Sequence, residues 1–190
     1  MSLTPTECRD VASLRRVVAA GARPKYLFFW SHRPPRSGVD ESCLSQWFEA
    51  AFEIDGRRYP TAEHFLMAEK ARLFGDEENR RRILGAAEPG AAKRFGREVR
   101  SFDEEVWRER RFEIAVKGNL AKFRRHTALG EYLSATSRRV LVEASPADRI
   151  WGAGLEADNP AVRQPARWPG ENLLGFVLME VRHRLTAGQD

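Results

Sequence analysis

The sequence predicts an α+β fold, mainly helical, in a single compact domain with a small antiparallel β-sheet in its N-terminal half. Three observations carry this reading. Capped, glycine-terminated stretches with helical spacing fill most of the chain, and strand-like runs are few and short. One of those runs holds the strongest hairpin signal, Asp55-Gly56 between Phe52–Ile54 and Arg57–Tyr59. At 190 residues and 42% apolar side chains the chain is the size of one domain and can build a full core. Residues 1–24 are expected to be an N-terminal extension, forming one helix, ahead of the main domain at 25–190.

Each element has a local reason. Thr4-Pro5-Thr6-Glu7 has the form of an N-cap, a first-turn proline and a capping-box glutamate, which predicts a basic helix over 5–20 stopped by Gly21. Tyr26–Trp30 is a strand-like run of aromatic and apolar residues, followed by a polar loop at 31–42. After the hairpin, Pro60 and Thr61 start a helix to about Phe74, ended by Gly75. Shorter helices are expected at 76–84 and 89–96. Ser101-x-x-Glu104 is a second capping box and opens a long helix to about Arg125.

That long helix is apolar on two flanks, with Phe102, Phe112, Val116, Leu120 and Phe123 on one and Val106, Trp107, Ile114 and Ala121 on the other. So wide an arc predicts burial on two sides. The strip Arg110, Glu113 and Lys117 between them either pairs internally or lines a cavity. A short helix at 128–135, a strand at 139–143 and an apolar closing helix at 172–185 complete the pattern. The intervening segment 144–171 is rich in Pro, Gly and Asn and long enough to carry function.

The formal net charge is +5 and the pI about 9.6, a balance that suits an anionic partner, either nucleic acid or a phosphorylated small molecule. Compositional bias is the plainer source, because only five of the 32 basic residues are lysines. The scarcity singles out Lys70 and Lys122, since lysine can lose its proton when buried and act as a nucleophile. No apolar run reaches the length of a membrane span, and no signal-peptide pattern opens the chain. Two cysteines, Cys8 and Cys43, stand outside any metal spacing, which points to a reduced, cytoplasmic protein.

Among residues able to do chemistry, no P-loop, G-x-S-x-G elbow, dinucleotide fingerprint or H-E-x-x-H occurs, and the four histidines have no ligand spacing. No metal or cofactor is therefore expected. Glu63, Met67 and Lys70 project along one line of a helix, which puts a carboxylate and an ammonium on a single face. Downstream, Asp148-x-x-Trp151-Gly152-x-Gly154 and Gly170-x-Asn172-x-Leu174-Gly175 form a second cluster. Each residue also has a bland reading. Glu63 suits a helix start for dipole reasons, Asp148 suits a turn cap, Asn172 an N-cap, and Trp107 and Trp151 the core.

In combination these residues resemble the NADAR family, the YbiA-like N-glycosidases. The resemblance runs through Phe28-Phe29, Leu44-Ser45, Asp55-Gly56-x-x-Tyr59-Pro60-Thr61-x-Glu63-His64, Lys70-Ala71, Gly96-Arg97, Trp107 and Lys122-Phe123. It continues through Leu141–Ser145, the Asp148 and Gly170 clusters, and Leu178-Met179-x-x-Arg182, over roughly 26–186. The resemblance implies hydrolysis of an N-glycosidic bond. The substrate it implies is a 5-phosphoribosylamino-pyrimidine of early riboflavin synthesis, releasing ribose 5-phosphate. The alternatives are an ADP-ribosyl-guanine hydrolase, with nucleic acid only as a modified substrate, and a non-catalytic ADP-ribose or nucleic-acid-binding domain.

The resemblance also implies site residues. Glu63 and Asp148 are the candidate catalytic carboxylates. Lys70, Trp107, Trp151, Gly152, Asn172 and Gln46 are candidate substrate contacts, with Lys70 binding phosphate or attacking the opened sugar as an amine. Trp107 and Trp151 are expected to sandwich the leaving base. Many family members carry Ser-Asn where this chain has Ser45-Gln46, so the amide sits one methylene further out. The loop from Gly154 to Gly170 is longer than in compact bacterial members, and residues 1–24 have no counterpart.

Overall fold

A computed structural model describes residues 3–188 and resolves seven helices and four short strands among them. Two compact units are distinguished: residues 46–127, and residues 3–45 with 128–188.

The unit at 46–127 opens with the expected hairpin, β1′s successor in chain order, so the strands are numbered β1 (Tyr26–Phe29), β2 (Phe52–Ile54), β3 (Arg57–Tyr59) and β4 (Val140–Glu143). β2 and β3 pair antiparallel, and Asp55 (φ 53°) and Gly56 (φ 73°) are both left-handed, as a type I′ turn requires. Four helices follow: α2 (Ala62–Leu73), α3 (Glu77–Leu84), α4 (Pro89–Arg97) and α5 (Glu104–Arg125). Helix α2 is buried from Ala62 to Ala68 because α3, α4 and α5 all pack on it. Two glycines permit that packing. A Cβ at Gly96 would lie 2.1 Å from Met67 Sδ, and one at Gly118 would lie 2.4 Å from the Phe65 ring. Phe65 in turn sits edge-on to Tyr59 at 5.1 Å between ring centroids, which ties the hairpin to α2.

Helix α5 is buried along one predicted flank through Val116, Leu120 and Phe123, while of the second flank only Trp107 is buried. Val106 is exposed and Ile114 and Ala121 are half-buried, so the expected burial on two sides is met in part. Its start differs from expectation. Asp103, not Ser101, is the N-cap, accepting from Glu105 N (2.8 Å) and Val106 N (3.0 Å), while Ser101 takes a left-handed conformation (φ 53°). In the charged strip, Lys117 reaches Asp55 of the hairpin turn at 3.1 Å.

In the other unit α1 spans Val11–Ala19, shorter than the predicted 5–20. Thr4 and Glu7 do bond as a capping box would, Glu7 Oε2 accepting from Thr4 N (2.7 Å) and Oγ1 (2.8 Å), but they close an isolated turn. Asp10 caps the helix by accepting from Ser13 N at 2.6 Å. The extension is anchored: Arg15 donates to the carbonyls of Pro165 (2.9 Å) and Trp168 (2.8 Å), and Leu14 is fully buried. Strands β1 and β4 form a second two-stranded sheet, parallel, in register Tyr26 to Val140 through Phe29 to Glu143. Helix α6 (Thr127–Ala135) leads into β4, and α7 (Leu173–Ala187) packs on it. Val140, Leu141 and Val142 are fully buried, the continuous apolar run that a covered parallel strand needs.

Candidate active site

The first group of candidate residues belongs to the unit at 46–127. Thr61 caps α2, which places Glu63 in the first turn, where a carboxylate is favoured by the exposed N–H groups. Glu63 is nonetheless buried, at 5% exposure. Its main-chain N–H donates to Gln46 O at 3.0 Å, so the start of α2 is pinned to the segment before the hairpin. Gln46 is equally buried, and neither its amide oxygen nor its amide nitrogen has a hydrogen-bond partner among the described residues. An unsatisfied buried polar group of this kind costs about 1–3 kcal/mol, and such a cost needs a reason.

Next to Glu63, His64 is fully buried. Its Nε2 lies 3.1 Å from Ala86 O and therefore donates, which leaves Nδ1 to accept from the Thr61 hydroxyl at 2.8 Å. Burial pushes the imidazole pKa below its ordinary value, against the opposing pull of the Ala86 carbonyl.

Two turns along α2, Lys70 donates to Gly96 O at 2.9 Å, with its Nζ 4.0 Å from the Phe102 ring centroid and 5.8 Å from that of Trp107. Burial lowers its pKa, with the Glu104 charge acting the other way. The structure thus brings Lys70 and Trp107 together. Trp107 itself is a core residue, 6% exposed, so the indole serves as a wall for the ammonium.

The second group lies on the turn between β4 and α7, in the other unit. Asp148 Oδ1 accepts from Ile150 N (3.0 Å) and Trp151 N (2.8 Å), so the carboxylate shapes the turn that presents the half-buried Trp151. Gly152 is required by space: a Cβ there would meet Asp148 O at 2.8 Å and Glu143 O at 3.1 Å. Asn172 is fully buried and left-handed (φ 54°), and it is not a side-chain N-cap. Its amide bridges β4, accepting from Glu143 N and donating to Leu141 O, both at 2.9 Å. The N-terminal N–H groups of α7 are instead met by the turn. Asn172 N donates to Gly152 O (2.9 Å), Leu173 N to Ile150 O (3.1 Å) and Leu174 N to Trp151 O (3.0 Å). Asn172 therefore positions the turn through backbone bonds, a role its place in the sequence did not disclose.

Two buried cations of α5 had no assigned role from the sequence. Lys122 is fully buried, its Nζ 5.1 Å from the Phe123 ring and 5.5 Å from Phe48. Arg111, at 4% exposure, lies 3.7 Å from Glu104. The scarcity of lysine pointed at Lys122. Nothing in the periodicity of α5 marked Arg111.

Comparison with known proteins places the chain. Residues 28–186 match the NADAR domain. The chain belongs to the NADAR family. Among NADAR relatives, the N-glycosidase R617 of Acanthamoeba polyphaga mimivirus is 39% identical over 163 residues, covering 83% of this chain and 95% of the relative. The N-glycosidase YbiA of Escherichia coli is 33% identical over 146 residues, covering 77% and 81%. The solved NMR structure of E. coli YbiA superposes with a TM-score of 0.69 at 30% identity, covering 88% of each chain. A riboflavin biosynthesis protein of Vibrio vulnificus is 29% identical, but the matched region is only 35% of that protein. The helical α+β fold of this NADAR chain is thus the fold of YbiA.

Proposed function

We infer that this chain is an N-glycosidase, a hydrolase acting on N-glycosyl compounds, and we propose that its substrate is a phosphoribosylated base of the 5-phosphoribosylamino-pyrimidine type. The relatives named N-glycosidases support the reaction class, and the Vibrio protein's name supports the riboflavin-related substrate. The observation that carries the reading is the pairing of a buried carboxylate, Glu63, with the unpartnered amide of Gln46 through one backbone bond.

Hydrolysis of the C1′–N bond passes through an oxocarbenium-like transition state. Water oxygen bonds to C1′, the C1′–N bond breaks, and a proton goes to the departing nitrogen. Glu63 takes the proton of the attacking water and offsets the positive charge at C1′; a group in this role contributes roughly 10²–10⁴-fold. Gln46 recognises the base. A primary amide offers one donor and one acceptor side by side, the complement of the N–H/C=O edge of a pyrimidinone. Lys70 gives one of its three donors to Gly96 and offers the others to phosphate. Considered by itself, the turn of the other unit presents the half-buried Trp151 indole, with Asp148 and Gly152 holding its geometry and Asn172 supporting it. A face of this kind stacks on a base for about 1–3 kcal/mol. Both cysteines are buried and joined in no disulfide, which fits a reducing, cytoplasmic setting.

Guanine has the same N–H/C=O edge, so the donor–acceptor pair on Gln46 also suits an ADP-ribosylated guanine. A product assay separates the two. Incubation with the phosphoribosylamino-pyrimidine should release ribose 5-phosphate, while ADP-ribosylated oligonucleotide should be left intact. Recovery of unmodified guanine with no turnover of the pyrimidine would reverse the assignment.

A further inference from the structure

We propose that the unit formed by residues 3–45 and 128–188 carries a second, non-catalytic binding site, a basic cleft that takes a chain of phosphate groups. The cleft has a volume of about 820 Å³, and its walls are residues 4–7, 22–25 and 136–139. Two of those walls precede residue 28, where the match to the NADAR domain begins. The N-terminal extension thus completes a cavity whose third wall, between α6 and β4, belongs to the matched domain.

Arg23, Lys25, Arg138 and Arg139 line the cleft, and all four are exposed. None of them forms an ion pair among the described residues. Four like charges gathered in one concavity repel one another, and an anion relieves that repulsion. The single carboxylate in the lining is Glu7. Hydrogen bonds from the Thr4 backbone and side chain hold its pKa below the ordinary value, so it remains a fixed counter-charge to the four cations.

The third wall is braced from behind. Arg182 donates to Thr136 Oγ1 (2.7 Å) and to Arg139 O (3.0 Å), and Thr136 Oγ1 donates to Leu133 O at 2.6 Å. A smaller hollow of about 370 Å³ shares Thr4, Thr6, Glu7 and Ser137 with the cleft and continues to Arg182 and His183. The basic surface is therefore a trough longer than a single phosphate. No Phe, Tyr or Trp lines either hollow, and the His183 imidazole at the end of the smaller one is the sole aromatic ring among the lining residues, so the trough offers no run of faces for successive bases. The trough reads phosphates and not sequence. Two sources present that chemistry, a phosphodiester strand and a soluble oligophosphate. The site is independent of the proposed hydrolysis.

Fluorescence anisotropy of the full chain with a labelled single-stranded oligonucleotide of roughly a dozen nucleotides tests the proposal, with tripolyphosphate as the second ligand and as competitor. Four phosphate contacts predict an affinity that falls about 50-fold between roughly 50 and 200 mM salt. The double reversal Lys25→Glu, Arg138→Glu should weaken binding by more than about tenfold, the conservative pair Lys25→Arg, Arg138→Lys should retain it, and Glu63→Gln should bind like the parent chain. Tight oligonucleotide binding that tripolyphosphate displaces only in large excess identifies a strand as the ligand. Comparable binding of tripolyphosphate identifies a soluble oligophosphate. Salt-sensitive binding of neither ligand, or binding unmoved by the charge reversal, would overturn the site.

Discussion

The main-chain N–H of Glu63 donates to the carbonyl of Gln46 at 3.0 Å, so the carboxylate that begins α2 and the buried amide ahead of the hairpin are joined through backbone. Their side chains can therefore be changed one at a time without cutting the link between them.

Glu63→Gln keeps the shape of the side chain and removes its charge and basicity. The expected result is a loss of about 10²–10⁴ in kcat on the phosphoribosylamino-pyrimidine with the fold intact by circular dichroism. Full activity in the variant would remove Glu63 from the chemistry.

Gln46→Leu replaces two unpartnered polar atoms with an apolar side chain of similar size. Thermal stability should hold or rise, because no protein hydrogen bond is lost, whereas KM should rise at least about tenfold through the missing base contact. Gln46→Glu exchanges the donor for a second acceptor and should weaken the same substrate further. A fall in Tm with unchanged KM would make Gln46 a packing residue.

His64 makes stability depend on pH. Its folded pKa lies below the unfolded value of about 6.5, so the unfolded chain binds the proton more readily. The contribution is complete above about pH 6.5 and is lost as pH falls below it. Tm should drop between about pH 7 and pH 5, and His64→Gln should show a shallower slope over that window than the parent chain. Equal slopes would assign the drop to other groups.

Asn172→Ala orphans the buried Glu143 N–H and Leu141 carbonyl at once and puts alanine in a left-handed conformation. The expected cost is about 2–4 kcal/mol, read as a lower urea midpoint with the slope unchanged. Gly175→Ala should be at least as damaging, since its Cβ would fall 2.1 Å from Leu141 O. A midpoint unchanged in Asn172→Ala would show that the bridge is dispensable.

Where the sequence was legible, the signal was local. Asp55-Gly56 gave the hairpin because both positions need positive φ, and Thr61 and Gly75 bounded α2 to within a residue. Capping boxes misled where a second acid stood closer to the helix: Asp10 outcompeted Thr4, and Asp103 outcompeted Ser101. The pairing of β1 with β4 left no local trace, since each strand by itself is only a short apolar run. The candidate site divides in the same way. Position in a first turn singled out Glu63, but nothing in the text of the chain told that Asn172 would bridge β4 or that Gln46 would lack partners.

The parallel partner of Tyr26–Phe29 is Val140–Glu143, and all of residues 46–127 are made between the two. On the ribosome, the first strand must wait for the second with its edge groups unpaired. The continuous inner segment has its own hairpin and four helices available before then, so synthesis order favours its folding first, with the flanking unit closed last by the emerging α7.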